Sequence, residues 1–137
     1  MLVKFLPAYT GGGLGSINYL LNERRKAAGT AKVIKGDENL TRAVIKGVTY
    51  KQKTCFGVLS FEEKHDFMNE EQKLKIIKDF ERALLGEYML ERVNVLWVEH
   101  SDKNGRLELN FLIPKIDMPT GKSFNPYLAK FDQHRID

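Results

Sequence analysis

The sequence predicts an α+β protein, a mostly antiparallel sheet of about five strands flanked by helices. Strand-like and helix-like segments alternate along the 137 residues, and the last two strand-like segments, NVLWVEH and RLELNFLIPK, are separated only by the polar turn SDKNG. So short a connection forces antiparallel pairing. The length suits one hydrophobic core, and 42% hydrophobic with 29% charged residues is typical of a globular protein. We therefore expect one domain over residues 1–137.

The first third of the chain predicts a strand, a glycine-rich connection and a helix. Leu2 to Leu6 is short and apolar, and GGGLGS follows it. Ser16 suits the N-cap of one helix that ends near Gly29. That helix would bury one stripe, made of Leu14, Ile17, Leu21 and Ala28.

The next elements follow from the same patterns. AKVIKG predicts a strand and ENLTRAVIKGV a helix, with Leu40, Ala43, Val44 and Val48 at helical spacing. TCFGVLSFEE has strand composition. In the helix NEEQKLKIIKDFERALLG, Asn69 can cap the start, Gln72 can complete a capping box and Gly86 can end it. Its predicted buried stripe is Ile76, Ile77, Phe80, Ala83 and Leu84.

The closing hairpin carries polar residues where a central strand would bury them. In the last strand Leu107, Leu109, Phe111 and Ile113 alternate with Glu108, Asn110 and Leu112, so the first set predicts core and the second faces the other way. His100 ends the preceding strand, and the hairpin brings it beside Glu108. One nitrogen and two oxygen ligands can hold a divalent cation that keeps open positions for a phosphate oxygen. The alternative is that Glu108 pairs with Arg106 or a lysine, Asn110 bonds backbone and His100 only ends a strand.

Tyr19 is the second candidate for chemistry. It lies two residues from Ile17, about 200° around a helix, and so points away from the apolar stripe. A phenol there could attack phosphorus, or it could be an ordinary exposed tyrosine. The preceding glycines match neither the dinucleotide fingerprint nor the P-loop, which excludes a nucleotide site of either kind.

Composition narrows the compartment and the partners. A net charge of +4 permits a polyanionic partner without requiring one. The single cysteine, Cys55, excludes an intrachain disulfide and agrees with a reducing cytoplasm. We expect no signal peptide and no membrane insertion, because no apolar run approaches the roughly 20 residues that span a bilayer.

Several segments together resemble a known family. They are VKF, GGGLGSINYLL, CFGVLSFEE, NVLWVEHSDK, GRLELNFLIPK, TGKSFNPYL and the closing RID. They are similar to the relaxases of small mobilisable plasmids, in the HEN subgroup of the HUH-type DNA strand transferases. The turn SDKNG is one residue longer than in close relatives, with Asn104 the extra residue.

The resemblance implies a fold, an activity and a site. Such enzymes have an antiparallel sheet flanked by helices and nick single-stranded transfer-origin DNA by transesterification, forming a 5′-phosphotyrosine that later rejoins the strand. Tyr19 stands at the family's nucleophile, and His100, Glu108 and Asn110 stand at its metal triad. An accessory mobilisation protein and a coupling protein are the implied partners, in a bacterial cytoplasm, and the chain is expected to be the catalytic part of a longer plasmid-encoded protein.

The last expectations concern the cofactor, the contacts with DNA and the general base. Two oxygen ligands favour Mg²⁺ or Mn²⁺, and the imidazole favours Mn²⁺. Phosphate contacts are expected from Arg24, Arg25, Lys26, Arg106, Lys115 and Lys122. Glu62, Asp102 or a metal-bound water could be the general base. Two alternatives stay open: a non-catalytic single-strand binder, and a metal-dependent nuclease that uses water.

Overall fold

In a computed structural model, residues 1–6, 13–49 and 53–126 are described. The elements are β1 Leu2–Leu6, α1 Gly15–Leu20, α2 Glu23–Ala28, β2 Ala31–Lys35, α3 Glu38–Gly47, β3 Thr54–Lys64, α4 Glu70–Leu85, β4 Leu96–His100 and β5 Arg106–Pro114. The strands form one sheet in the order β1-β3-β5-β4-β2, and every neighbouring pair is antiparallel. The predicted α+β fold with five strands is confirmed, and β5 lies at the centre of the sheet.

Helices cover both faces of the sheet. The α4 face buries the residues predicted as core in β5, together with Leu59, Ile77, Leu84 and Trp97. The opposite face packs against α1 and α3 and contains Ile17, Leu20, Ile45, Phe56, Leu96, Val98 and Leu112. Because side chains alternate along a strand, Glu108 and Asn110 share this second face with Leu112. The polar residues of the hairpin therefore lie on the side of the sheet that carries α1.

The predicted first helix is two helices. α1 ends at Leu20, and Asn22 caps α2 by accepting a hydrogen bond from the Arg25 backbone N–H at 2.8 Å. An asparagine side chain that bonds the following backbone competes with continuation of a helix. Ser16 is buried inside α1 and is not its cap, so that prediction was wrong. Gly29, with φ of 73°, ends α2 as predicted.

Of the apolar residues at helical spacing in α3, Val48 at the C-cap is buried and Val44 is half-buried. Leu40 and Ala43 are exposed, whereas Thr41 and Ile45 are buried. Thr41 is accommodated because its hydroxyl donates to the Asp37 carbonyl at 2.7 Å and accepts from the Asn94 amide at 2.9 Å. The burial of Thr41 was not predicted, because the helical spacing was assigned from apolar side chains alone.

The helix α4 begins and ends where predicted. Asn69 and Gln72 form the capping box, and Gly86 lies at its C-terminal end. Ile77 and Leu84 of the predicted stripe are buried, but Ala83 is exposed. The buried face also includes two charged residues: Lys73 pairs with Glu99 at 2.9 Å, and Glu81 accepts from Lys35 at 2.6 Å and from the Trp97 indole at 2.8 Å.

Among the described residues, none of the helices has both the length and the apolar character that a membrane span requires.

Candidate active site

The β4–β5 hairpin sets the three predicted metal ligands in register. His100 lies opposite Glu108, and Asn110 lies opposite Val98. The turn is closed by Asn104, with φ of 57°, and Gly105, with φ of 73°. Asparagine and glycine are the residues that adopt this left-handed conformation at least cost. The hairpin accommodates its five-residue turn and still pairs His100 with Glu108.

His100 is held with one ring nitrogen free. The residue is 2% exposed, and its Nε2 lies 2.8 Å from the Leu20 carbonyl oxygen. A carbonyl can only accept, so Nε2 carries the hydrogen and Nδ1 of the neutral ring keeps its lone pair. Burial lowers the pKa of His100 below its ordinary 6.5; the Leu20 carbonyl opposes this, and the charge of Arg25 adds to it. The ring is therefore neutral at pH 7, as a metal ligand must be.

Asp102 joins the predicted ligands. One ligand atom from each of His100, Asp102 and Glu108 lies within 4.8 Å of the others. That is close to the separation of two ligands on opposite sides of one ion, each roughly 2.0–2.3 Å from it. From the sequence, Asp102 was expected only as a candidate general base, because strand alternation gives no side-chain direction for a residue in a turn. Its position two residues after His100 was the available signal.

The contacts expected of Glu108 and Asn110 in the absence of a metal are present, but they leave ligand atoms unused. Asn110 Nδ2 donates to the Val98 carbonyl at 3.2 Å, and Lys103 Nζ lies 3.5 Å from Glu108 Oε2. The amide oxygen of Asn110 and the second carboxylate oxygen of Glu108 are not used in these bonds. The Lys103 side chain is 59% exposed and that of Glu108 is 11% exposed. An ion pair with one partner in solvent and 3.5 Å between its atoms contributes little. The donor set fits a divalent cation.

Tyr19 lies beside this group. Its ring centroid is 6.3 Å from that of His100 and 6.3 Å from that of Phe56, edge-on in both cases. The residue is 39% exposed, so the phenol reaches solvent from a ring that is packed on the sheet. Of the other tyrosines, Tyr88 is described and lies against Arg92; Tyr9, Tyr50 and Tyr127 lie outside the described residues.

Arg25 connects Tyr19 with Asp102. Its Nε donates to Asp102 Oδ2 at 2.9 Å, its Nη1 to the Tyr19 carbonyl at 2.7 Å and its Nη2 to the Tyr19 hydroxyl at 3.5 Å. Burial opposes the charge, but the bonds to Tyr19 and Asp102 raise the pKa of Arg25 above its ordinary value. Burial also opposes the charge of Asp102, yet Arg25 lowers the pKa of that carboxyl below 3.8. Both groups are charged at neutral pH.

Two known proteins are similar to this chain over its whole length. The chain is 41% identical over all 137 residues to DNA relaxase MbeA of Escherichia coli, and 41% identical over the same length to cryptic plasmid protein C of Neisseria gonorrhoeae. Both similarities support an MbeA-like mobilisation relaxase. It spans 26% of the length of MbeA and 65% of that of the gonococcal protein. No family model and no solved structure matches it.

The residues of this MbeA-like chain that were expected to contact phosphates fall into three places. Arg24 and Lys26 are exposed on α2. Arg25 and Arg106 are engaged with the protein, the latter donating to the Phe61 carbonyl at 3.1 Å and the Ser60 hydroxyl at 3.3 Å. Lys115 is half-buried and Lys122 exposed after β5. Their contacts with DNA stay a prediction.

Proposed function

We propose that this MbeA-like chain is the catalytic part of a plasmid mobilisation relaxase, which nicks single-stranded transfer-origin DNA. The observation that carries the proposal is the placement of the Tyr19 ring 6.3 Å from the ring of His100, beside the group His100, Asp102 and Glu108. A nucleophile next to a candidate cation site is the arrangement that phosphoryl transfer needs. The name of the Escherichia coli relative, DNA relaxase MbeA, agrees with it.

In the proposed reaction, the phenolic oxygen of Tyr19 attacks the scissile phosphorus. A tyrosyl O–P bond forms at the 5′ side, the P–O3′ bond breaks, and the departing oxygen gains a proton to become a free 3′-hydroxyl. The phenol proton passes to a general base, for which Glu62 and Asp102 stay the candidate carboxylates. One phosphoester replaces another, so the strand can be rejoined by the reverse reaction.

The cation is proposed to be held by His100, Glu108 and Asn110, with Asp102 as an additional oxygen donor. Imidazole together with carboxylate and amide oxygens suits Mn²⁺, and the oxygens also suit Mg²⁺. When bound, such an ion supplies positive charge that neutralises the phosphate under attack. The protein's part is to hold the His100 ring neutral, through burial and the Leu20 carbonyl, and to orient it.

The DNA is proposed to run across the face that carries Tyr19. Arg24 and Lys26 are exposed on α2, directly after the nucleophile's helix, where they can bind flanking phosphates. Lys115 and Lys122, which follow β5, are proposed as further phosphate contacts. The accessory mobilisation protein, the coupling protein and the cytoplasmic location are proposed on the family resemblance.

A denaturing gel tests the proposed function. The protein is incubated with Mn²⁺ and single-stranded oligonucleotides that tile both strands of the DNA flanking the gene, each labelled at its 3′ end. A label that migrates with the protein, absent with EDTA and in Tyr19→Phe, supports the relaxase. Cleaved product without a shifted band would indicate water as the nucleophile. Retention of DNA in a native gel with no cleavage at all would indicate a binding module.

A further inference from the structure

The end of helix α1 is tied to the candidate cation site at two consecutive carbonyls. Arg25 Nη1 donates to the Tyr19 carbonyl at 2.7 Å, and His100 Nε2 donates to the Leu20 carbonyl at 2.8 Å. The last carbonyls of a helix have no partner within the helix and need one elsewhere. The Tyr19 carbonyl also accepts from Asn22 Nδ2 at 3.2 Å. Arg25 and His100 are the partners that also contact the cation site, so these two side chains link the nucleophile's backbone to that site.

Arg25 also holds the Tyr19 side chain. Its guanidinium carbon lies 4.5 Å from the ring centroid, and Nη2 reaches the hydroxyl at 3.5 Å. Arg25 is 6% exposed, whereas its neighbours Arg24 and Lys26 on α2 are exposed. A buried guanidinium needs charged or polar partners on several sides. Those partners are Tyr19 and Asp102, which gives Arg25 a role distinct from that of its exposed neighbours.

Asp102 is shared between Arg25 and the cation site. Its Oδ2 accepts from Arg25 Nε at 2.9 Å, while its carboxylate belongs to the group with His100 and Glu108. A cation bound by this group would interact with the negative charge of Asp102, which now interacts with Arg25. The strength and geometry of the Arg25–Asp102 pair therefore depend on whether the site is filled.

We propose that Arg25 is a positioning residue for Tyr19, and that through Asp102 it couples occupancy of the cation site to the placement of the phenol. The proposal rests on the proposed function. It gives Arg25 the role of holding Tyr19 instead of the role of binding a DNA phosphate. Only a planar guanidinium can meet Asp102, the Tyr19 carbonyl and the ring face together. A lysine would keep the charge and lose this geometry.

The coupling can be measured without DNA. Protein labelled with ¹³C in its tyrosine rings is titrated with Mg²⁺, and the Tyr19 signals, assigned by comparison with Tyr19→Phe, are followed by NMR. Mg²⁺ affinity is measured in parallel by calorimetry. The variants are Arg25→Lys and Asp102→Asn, which keeps an oxygen acceptor for Arg25 but removes the charge. Arg24→Lys, an exposed neighbour in the same helix, is the matched control.

In the unmodified protein and in Arg24→Lys, the Tyr19 signals should shift as Mg²⁺ binds. Arg25→Lys should lose that shift when it is compared at Mg²⁺ concentrations that saturate its own cation site. If Arg25→Lys does not fold, Asp102→Asn decides, with a diminished shift expected at saturating Mg²⁺. A Tyr19 shift of undiminished size in the deciding variant, or no shift in the unmodified protein, overturns the proposal.

A second readout separates this proposal from the proposed function. Where the oligonucleotide forms an adduct, Arg25→Lys should slow single-turnover adduct formation about 10–100-fold while DNA affinity changes by less than about threefold. A weakened DNA affinity with an unchanged rate at saturation would make Arg25 a phosphate contact and overturn the positioning role. A Tyr19 shift without any adduct would leave the coupling intact and contradict the proposed function alone.

Discussion

The rings of Tyr19 and His100 meet edge to face, with centroids 6.3 Å apart and planes at 67°. The tyrosine is 39% exposed and the histidine 2%, so the two rings lie across the boundary between solvent and core. A candidate nucleophile is thereby accessible to a strand of DNA while its neighbouring candidate ligand is fixed inside. The Leu20 carbonyl, one residue after Tyr19, accepts a hydrogen bond from the same histidine at 2.8 Å and so ties the end of α1 to it.

Glu108→Gln should weaken cation binding while leaving the fold in place. The substitution keeps the shape of the side chain and removes its negative charge, and we expect Mn²⁺ affinity to fall by at least about 10–100-fold in calorimetry. Glu63→Gln, at the exposed end of β3, is the matched control and should bind as the unmodified protein does. Equal affinities in the two variants would remove Glu108 from the cation site.

The stability of the metal-free protein should depend on pH through His100. Burial lowers the pKa of this ring below 6.5, so the folded protein keeps it neutral while the unfolded chain takes up a proton. Because the unfolded state then binds more protons, the free energy of unfolding should fall as pH drops below about 6.5, until the folded pKa is reached. Urea unfolding in EDTA between pH 7.5 and 5 measures this.

Two glutamine variants isolate the contribution of that ring. His100→Gln keeps an amide donor for the Leu20 carbonyl and should flatten the dependence of unfolding free energy on pH. His65→Gln changes an exposed histidine in the turn after β3 and should retain the dependence of the unmodified protein. The opposite pattern, with His65→Gln flattened and His100→Gln unchanged, would place the titrating group elsewhere.

Gly57 should tolerate no side chain. A Cβ at this position of β3 would overlap Phe111 Cζ and lie 2.6 Å from the Lys4 carbonyl oxygen, which is backbone of the paired strand and cannot move aside. Gly57→Ala should lower the free energy of unfolding by about 2–3 kcal/mol. Gly47→Ala, at the end of α3, meets nothing within 4 Å and should raise it by up to about 1 kcal/mol. Equal effects would contradict the β1–β3 packing.

The parts of the fold that depend on local pattern could be predicted from the sequence. The capping residues of α4, the hairpin and the alternation in β5 each concern neighbours in the chain, and all three are confirmed. The strand order was not predicted, because it depends on pairings such as β3 with β5 between segments far apart in sequence. The break after α1 was missed because the apolar stripe continued through Asn22, whose side chain bonds the next helix instead.

The candidate site was predictable where strand geometry applied to it. A period of two places Glu108 and Asn110 on one face, and a short hairpin returns His100 to them. Asp102 lies in the turn, where no period applies. Arg25 was expected to point to DNA with Arg24 and Lys26, since a basic run is usually solvated. Its burial depends on Asp102 and Tyr19, contacts that only the folded hairpin and α1 bring together.

Identification of the residue that becomes linked to DNA tests the account most directly. Adduct formed with Mn²⁺ is digested with nuclease and trypsin, which yields a peptide of residues 5–24 that contains both Tyr9 and Tyr19. Fragment-ion mass spectrometry then assigns the residual nucleotide to one of them. We predict that it lies on Tyr19, and that Tyr19→Phe lowers adduct yield at least about 10³-fold while Tyr9→Phe still forms it. A nucleotide on Tyr9, or undiminished adduct in Tyr19→Phe, would contradict the account.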